Sequence, residues 1–322
     1  MATGTHPEAI LASALSVGPR SEDGAIGREH RTLGRFLFLN EFGTTAEWPE
    51  DHERRILAEL ADYHPAVLEA NPSLIARLAR FAWKTGAEVY QPPLITLTYE
   101  FPSALQLKAI RQVFGSPIAS SYGSTEAGYV FMECEHGMLH QNTEFCRVDF
   151  SPLKDRVKTH AGVGRIFVTT FGNPWFPLVR FDIGDMVRLA SGPCPCGRNL
   201  GMTLSAIEGR LKSLCVAGDE SLLTHRELDD ALAHVQGLEQ YRLVQEAPKS
   251  VRLAVVGEDS QGIKVARDAK DILQGVFGGS VTITVNNVLV LQPERSGKFL
   301  LAKRDFPLDP GIVTTRTEGL HG

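Results

Sequence analysis

Apolar residues recur along this chain with two periods, and the changeover splits it into three stretches. Between residues 50 and 114 the helical period dominates. After Pro49, the residues Ile56, Leu57, Leu60 and Ala61 share one face and predict a helix over 50–62. Leu74, Ile75, Leu78, Ala79 and Ala82 predict a second over 72–85, and Leu105, Leu107, Ile110 and Val113 a third over 103–114. Leu94-Ile95-Thr96-Leu97-Thr98 reads as a strand, and Pro117-Ile118-Ala119-Ser120 as a short one. This strand–helix–strand order predicts an α/β region with a parallel sheet covered by helices. Residues 1–35 are polar and Gly/Ser-rich apart from Ala9-Ile10-Leu11-Ala12, and are expected to form a loosely packed N-terminal arm.

Beyond residue 160 the pattern changes. Short β-type runs at 164–170, 178–181 and 185–189, separated by Gly, Pro and Asn, predict a compact antiparallel or barrel-like subdomain. From about residue 213 an α+β module is expected. It has helices at 225–235 and 263–274 and strands at 240–245, 251–256, 280–285 and 287–291.

Composition removes several function classes. Of the 322 residues 43% are hydrophobic and 22% charged, which is globular. The formal net charge of −5 argues against a nucleic-acid partner held on a basic face. No apolar run approaches the roughly 20 residues that span a bilayer, so no membrane partner is expected. The first residues lack the layout of a signal peptide, which makes a cytoplasmic location the expectation. The cysteines are Cys134, Cys146, Cys194, Cys196 and Cys215. An odd number in a chain of this size weighs against a disulfide framework and leaves metal ligation or free thiols.

Five groups of residues carry candidate chemistry, and two weaker ones accompany them. Ser120-Ser121-Tyr122-Gly123-Ser124-Thr125-Glu126-Ala127-Gly128 gathers hydroxyls, glycines and a carboxylate after a short apolar run. Glycines let backbone amides approach a phosphate, hydroxyls donate to it, and a carboxylate can hold a divalent cation beside it; an ordinary turn is the alternative. In Arg180-Phe181-Asp182-Ile183-Gly184-Asp185, an aspartate after a glycine turn can accept from a vicinal diol such as a ribose, or can simply sit on a hairpin surface. Glu208-Gly209-Arg210-Leu211-Lys212 offers Arg210 to a phosphate or ribose, or is a charged linker. Glu294-Arg295-Ser296-Gly297-Lys298 offers one lysine on a polar loop, able to neutralise charge developing during phosphoryl chemistry or merely exposed. Cys134, His136, His140, Cys194 and Cys196 contain three thiols and two imidazoles, enough for a tetrahedral zinc site; buried free thiols are the alternative. Thr98-Tyr99-Glu100 ends a predicted strand, where open α/β sheets bind ligands. Phe101, Tyr129, Phe131 and Trp175 are candidate walls of an aromatic acid site or core residues.

Taken together these motifs resemble those of adenylate-forming enzymes, the acyl-CoA synthetase superfamily, and specifically its phenylacetate–CoA ligase-like branch. The resemblance runs from about residue 35 to about residue 305. It implies a nucleotide site in which Tyr122, Gly123, Ser124, Asp185, Arg210 and Glu100 contact ATP or AMP. Thr125 and Glu126 would contact phosphate and Mg2+, and Lys298 would be the lysine of the adenylation step. It implies structural Zn2+ on Cys134, His140, Cys194 and Cys196, with His140 favoured over His136. It also implies a hinge at Lys212 between a large domain (36–211) and a small mobile C-terminal domain (212–322). The implied reaction activates an organic carboxylic acid, expected to be aromatic, and passes it to a thiol, CoA or a carrier protein. Ile183 replaces the family's usual Thr or Ser, and Thr98-Tyr99 replaces Gly-Ala before Glu100.

One family element is missing from the sequence. The N-terminal phosphate loop has no counterpart in residues 1–120; Gly43-Thr44-Thr45 comes nearest. The expectation is a truncated large domain. Such a chain is a shortened ligase, an acyl-transferring enzyme that uses the adenylate and thioester half of the chemistry, or a non-catalytic nucleotide- or partner-binding homologue. The face left bare by the missing subdomain predicts a homodimer or a complex.

Overall fold

The structure, a computed structural model, describes residues 6–12, 26–42, 48–49, 51–153, 162–257, 262–292 and 299–308. The chain forms two compact units: residues 1–122 with 292–299, and residues 123–291 with 300–322. The expected boundary at residue 212 falls inside the second unit.

The first unit is built on β1 (Glu8–Leu11), β2 (Thr32–Leu33), β3 (Phe36–Phe38), β4 (Val67–Ala70), β5 (Leu94–Leu97) and β6 (Ile118–Ser124), with α1 (His52–Tyr63), α2 (Pro72–Thr85) and α3 (Ala104–Val113). Its strands lie in the order β2-β3-β1-β4-β5-β6. All neighbours are parallel except β2 and β3. From β4 onward each crossover steps the same way along the sheet, and right-handed crossovers then place the helices on one face. Ala9, Leu11, Leu37, Leu68, Ala70, Ile95 and Leu97 fill that face against Ile56, Leu60, Ile75, Leu78 and Ile110. The opposite face, with Ile10, Phe36, Phe38, Val67 and Leu94, is half-buried.

Local chemistry sets the helix ends. Asn71 caps α2 by accepting from the amides of Ser73 and Leu74, Pro72 supplies a fixed φ at the first position, and Gly86 ends the helix at φ 67°. Ser103 and Gln106 form a capping box on α3. Residues 8–11 do not belong to a loose arm. They form β1, paired with β3 on one side and β4 on the other, with Ala9 and Leu11 fully buried. Four residues of alternating burial inside a polar tract were too short a signal to set against the surrounding composition.

The second unit holds an antiparallel sheet in the order β7-β8-β12-β11-β10-β9: β7 (Gly128–Glu133), β8 (Leu139–Gln141), β9 (Cys146–Pro152), β10 (Val163–Thr170), β11 (Phe181–Leu189) and β12 (Thr203–Arg210). The antiparallel alternative is thus the one observed. A 3-10 turn (Leu211–Ser213) follows, then the hairpin β13 (Cys215–Val216) and β14 (Leu222–Leu223) and α4 (His225–Leu232). Next come β15 (Leu238–Ala247), β16 (Ser250–Gly257), α5 (Gly262–Phe277), β17 (Thr282–Asn287) and β18 (Ala302–Arg304), with a sheet ordered β17-β16-β15-β18. Val265, Ala269, Leu273 and Phe277 form the buried stripe of α5. The runs at 178–181 and 185–189 do not make separate strands: β11 starts at Phe181 and continues through Gly184. The strand expected at 287–291 is absent, since β17 stops at Asn287 and leaves Leu289 97% exposed. No helix among the described residues is long and apolar enough to cross a membrane.

Candidate functional site

The predicted nucleotide residues divide between the two units, Glu100 and Tyr122 in the first and Gly123, Ser124, Thr125, Glu126, Asp185 and Arg210 in the second.

In the first unit Glu100 follows β5 at the carboxyl edge of the parallel sheet. Its two oxygens accept from Asn71 Nδ2 at 2.9 Å and Ser73 Oγ at 2.8 Å. Ser73 Oγ in turn accepts from Gln106 Nε2 at 2.9 Å. The carboxylate therefore ties the N-terminus of α2 to that of α3, where the positive ends of both helix dipoles favour it. Tyr99 holds a left-handed backbone (φ 74°) and donates its hydroxyl to Glu69 at 2.7 Å.

In the second unit Thr125, Glu126 and Ala127 form a tight turn from the end of β6 at Ser124 into β7 at Gly128. A Cβ on Gly123 would stand 2.2 Å from the Gly128 carbonyl oxygen, so the approach needs glycine. Ser124 Oγ accepts from the Ala127 amide at 3.1 Å, while Thr125 and Glu126 are exposed. Of the aromatic candidates, Phe131 is fully buried and belongs to the core, and Trp175 is 94% exposed.

Asp185 lies on a bulge. Phe167 pairs with Asp182 and Arg165 with Met186, so Ile183, Gly184 and Asp185 together face Ile166. Gly184 takes φ 81°, and its amide donates to Asp182 Oδ1 at 2.9 Å. The bulge turns Asp185 toward β12, where it is the register partner of Arg210, with 3.3 Å between Oδ1 and Nε. Asp185 is mostly buried and Arg210 mostly exposed, so a partly desolvated carboxylate stands under a guanidinium open to solvent. Lys212 is exposed in the turn that follows, between Arg210 and buried Ser213. Lys298 lies outside the described residues.

The structure gathers Cys134, His140, Cys194 and Cys196, with all four ligand atoms within 4.8 Å of one another. Cys134 Sγ is 3.6 Å from Cys194 Sγ, and Cys196 Sγ is 3.2 Å from His140 Nε2. A tetrahedron with zinc–sulfur bonds near 2.3 Å has edges of about 3.8 Å, so the donor set fits zinc. Backbone amides of His136 and Arg198 point at Cys134 and Cys196 sulfur at 3.4 and 3.5 Å. His136 thus offers its amide, and its side chain is outside the cluster. Burial holds the His140 imidazole below its usual pKa, favouring the neutral form a metal needs. Thr203 Oγ1 stands 3.3 Å from His140 Nδ1 and fixes the ring. Thr203 is not apparent from the motifs, and only the β8–β12 register reveals it.

No family model matches the chain. Among curated proteins it is 21% identical to Protein CapK of Staphylococcus aureus over 225 residues, covering 69% of this chain and 49% of CapK. The chain thus spans about half the length of that relative. Among solved structures, 2-hydroxyisobutyryl-CoA ligase in the postadenylation state with R3-HIB-AMP matches with a TM-score of 0.63 at 18% identity. That match covers 88% of this chain and 63% of the ligase. The anthranilate CoA ligase AuaEII with anthranoyl-AMP matches with a TM-score of 0.57 at 12% identity, over 84% of this chain and 53% of AuaEII. The chain has the fold of the adenylate-forming acyl- and aryl-CoA ligases.

Proposed function

We propose that this chain activates an organic acid as its acyl-adenylate and passes the acyl group to a thiol, as a phenylacetate–CoA ligase-like enzyme. The carboxylate oxygen attacks the α-phosphorus of ATP and pyrophosphate leaves; the thiolate then attacks the acyl carbon and AMP leaves. The observation that carries this reading is the bulge that sets Asp185 against Arg210 within a fold shared with ligases solved bearing acyl-AMP. In this scheme Asp185 accepts from the ribose hydroxyls and Arg210 steadies the nucleotide. Tyr122 stacks on the adenine, with Gly123, Ser124 and Glu100 beside it. Thr125 and Glu126 contact phosphate and Mg2+, and Lys298 neutralises charge on the transferring group. The portion after Lys212 then turns to admit the thiol of CoA or a carrier protein. Cys134, His140, Cys194 and Cys196 would hold a zinc ion that staples the β-rich sheet and supplies no chemistry to the reaction.

An aromatic acid, a cytoplasmic location and a homodimer belong to the same proposal. The half-buried second face of the parallel sheet supports the dimer, since parallel sheets are ordinarily covered on both faces. A monomer in light scattering would overturn that part.

The deciding experiment is ATP–pyrophosphate exchange with a panel of aryl acids, run beside Lys298→Ala. Exchange that depends on the acid and falls in the variant is expected. If the chain gives neither exchange nor acyl-thioester, the ligase reading fails, and calorimetry with AMP then separates the acyl-transferring alternative from a binding protein.

A further inference from the structure

A second bulge lies at Glu208, on the strand that carries Arg210 and just before the 3-10 turn. Met186 pairs with Gly209 and Val187 with Ile207, which leaves Glu208 outside the β11–β12 ladder. Gly209 takes φ 101° to permit this. The alternation of β12 breaks here, with Ile207 and Glu208 both buried, and the Glu208 side chain is fully so.

The buried carboxylate has two partners on different parts of the chain. Oε1 accepts from Arg188 Nε at 2.6 Å, and Arg188 lies on β11 beside it. Oε2 accepts from Thr224 Oγ1 at 2.7 Å, and Thr224 is the buried N-cap of α4, beyond the turn at Leu211–Ser213. The same hydroxyl oxygen accepts from the Glu227 amide at 3.2 Å. Thr224 therefore caps α4 with its lone pair and holds Glu208 with its proton, and the cap survives loss of the second bond. The first turn of α4 also sits directly on the bulge: a Cβ on Gly209 would stand 2.7 Å from His225 Cβ. Beside this contact, among the described residues, a small apolar cluster of Met186, Leu214 and Leu222, with Leu211 and Val216 packed against it, joins β11 to the 213–223 segment.

We propose that Glu208 is the latch of the turn at Lys212. The Thr224 hydroxyl bond and the three-residue cluster open together, and the portion beyond Ser213 swings as a body. The Arg188–Glu208 ion pair stays behind on the sheet. The charge is never orphaned during release, because Arg188 keeps it company; that is what makes a buried carboxylate usable as a catch here. Glu208 lies two residues before Arg210 on the same strand, so the position of α4 is tied to the Asp185–Arg210 pair. The purpose of the latch rests on the ligase reading above, but its existence does not.

Hydrogen exchange of the full chain, without nucleotide or acid, tests it. Glu208→Gln keeps the volume and weakens both bonds. One hydrogen bond to a charged group corresponds to roughly 10- to 100-fold in opening, so exchange in 209–216 and 224–229 is expected to quicken by about that factor. The amides of β15, β16, β17 and α5 are expected to keep wild-type rates, and Thr224→Ser to match wild type throughout. Unchanged exchange, or faster exchange spread evenly through β15–β17 and α5, would overturn the latch, because Glu208 would then be one more part of a single cooperative core. Should Glu208→Gln not fold, Thr224→Ala leaves the Arg188 pair intact; because it also removes the α4 cap, it is read by exchange in 209–216 against that of β15–β17 and α5 alone. A chain that shows the confined pattern but no pyrophosphate exchange keeps the latch and loses the ligase reading.

Discussion

Asp185 and Arg210 face each other across β11 and β12, the carboxylate 12% and the guanidinium 61% exposed. An ion pair so open on one side contributes little to folding, about 0–1 kcal/mol. If Asp185 is there for a ribose, Asp185→Asn should leave the thermal midpoint nearly unchanged. AMP affinity should fall roughly 10- to 100-fold, the equivalent of losing a hydrogen bond to a charged acceptor. Calorimetric titration beside a thermal melt reads both. Equal AMP affinity in the two proteins would sink the ribose assignment.

The thiol cluster gives a prediction with a spectroscopic readout. Purified protein should hold one zinc per chain, and Cys196→Ser should lose it. Thr203→Val leaves all four ligands in place but frees the His140 ring, so zinc affinity should drop about 10- to 100-fold in competition with a chelator. A metal content unchanged in Cys196→Ser would return the four residues to buried thiols and a core histidine.

Both bulges show where the sequence stopped being legible. The apolar faces of α1, α2 and α3 could be read because each residue's burial follows from its own spacing. A bulge depends on the register of the partner strand, which no local pattern records. For Arg180–Asp185 a hairpin turn, and for Glu208–Lys212 a charged linker, therefore stood open beside the ligand-binding readings. In the structure one is a continuous strand and the other buries its glutamate completely. The choice between His136 and His140 was likewise open to spacing alone; the β7–β8 hairpin closes it by turning His140 toward Cys196. The lysine at 298 falls outside the described residues, so its place in the site rests on its motif.

Acid should weaken the second unit before it weakens any chemistry. Burial holds His225 neutral and lowers its pKa from 6.5 to about 4, with Glu208 opposing; Tyr241 OH lies 3.5 Å from its Nε2 and donates to Asp229. The unfolded chain takes up this proton near pH 6.5 while the folded chain resists until about pH 4. Stability from this group is therefore complete above pH 6.5 and declines as pH falls toward 4, by roughly 3 kcal/mol in all. His52, lowered to about 3 by burial and then by Arg55, Arg31 and Arg77, acts in the same direction in the first unit. Urea unfolding between pH 7.5 and 4.5 should show the decline, and His225→Gln should flatten it in part. An identical slope in that variant would rule out His225 as its source.

Glu100 separates a binding role from an architectural one. Both of its oxygens are engaged with Asn71 and Ser73, and Ser73 is engaged with Gln106. Removing the carboxylate leaves buried Asn71 and Ser73, at the N-terminus of α2, without their shared acceptor, and loosens the link through Ser73 to Gln106 on α3. Glu100→Ala should therefore destabilise the fold by about 2 kcal/mol. Glu100→Gln can still accept from one partner and should cost about half of that. If the residue acts on the nucleotide only by holding these two helix ends, AMP affinity should follow stability across the two variants. A conservative Glu100→Gln that keeps its thermal midpoint yet loses tenfold or more in AMP affinity would instead mean that the carboxylate itself meets the nucleotide.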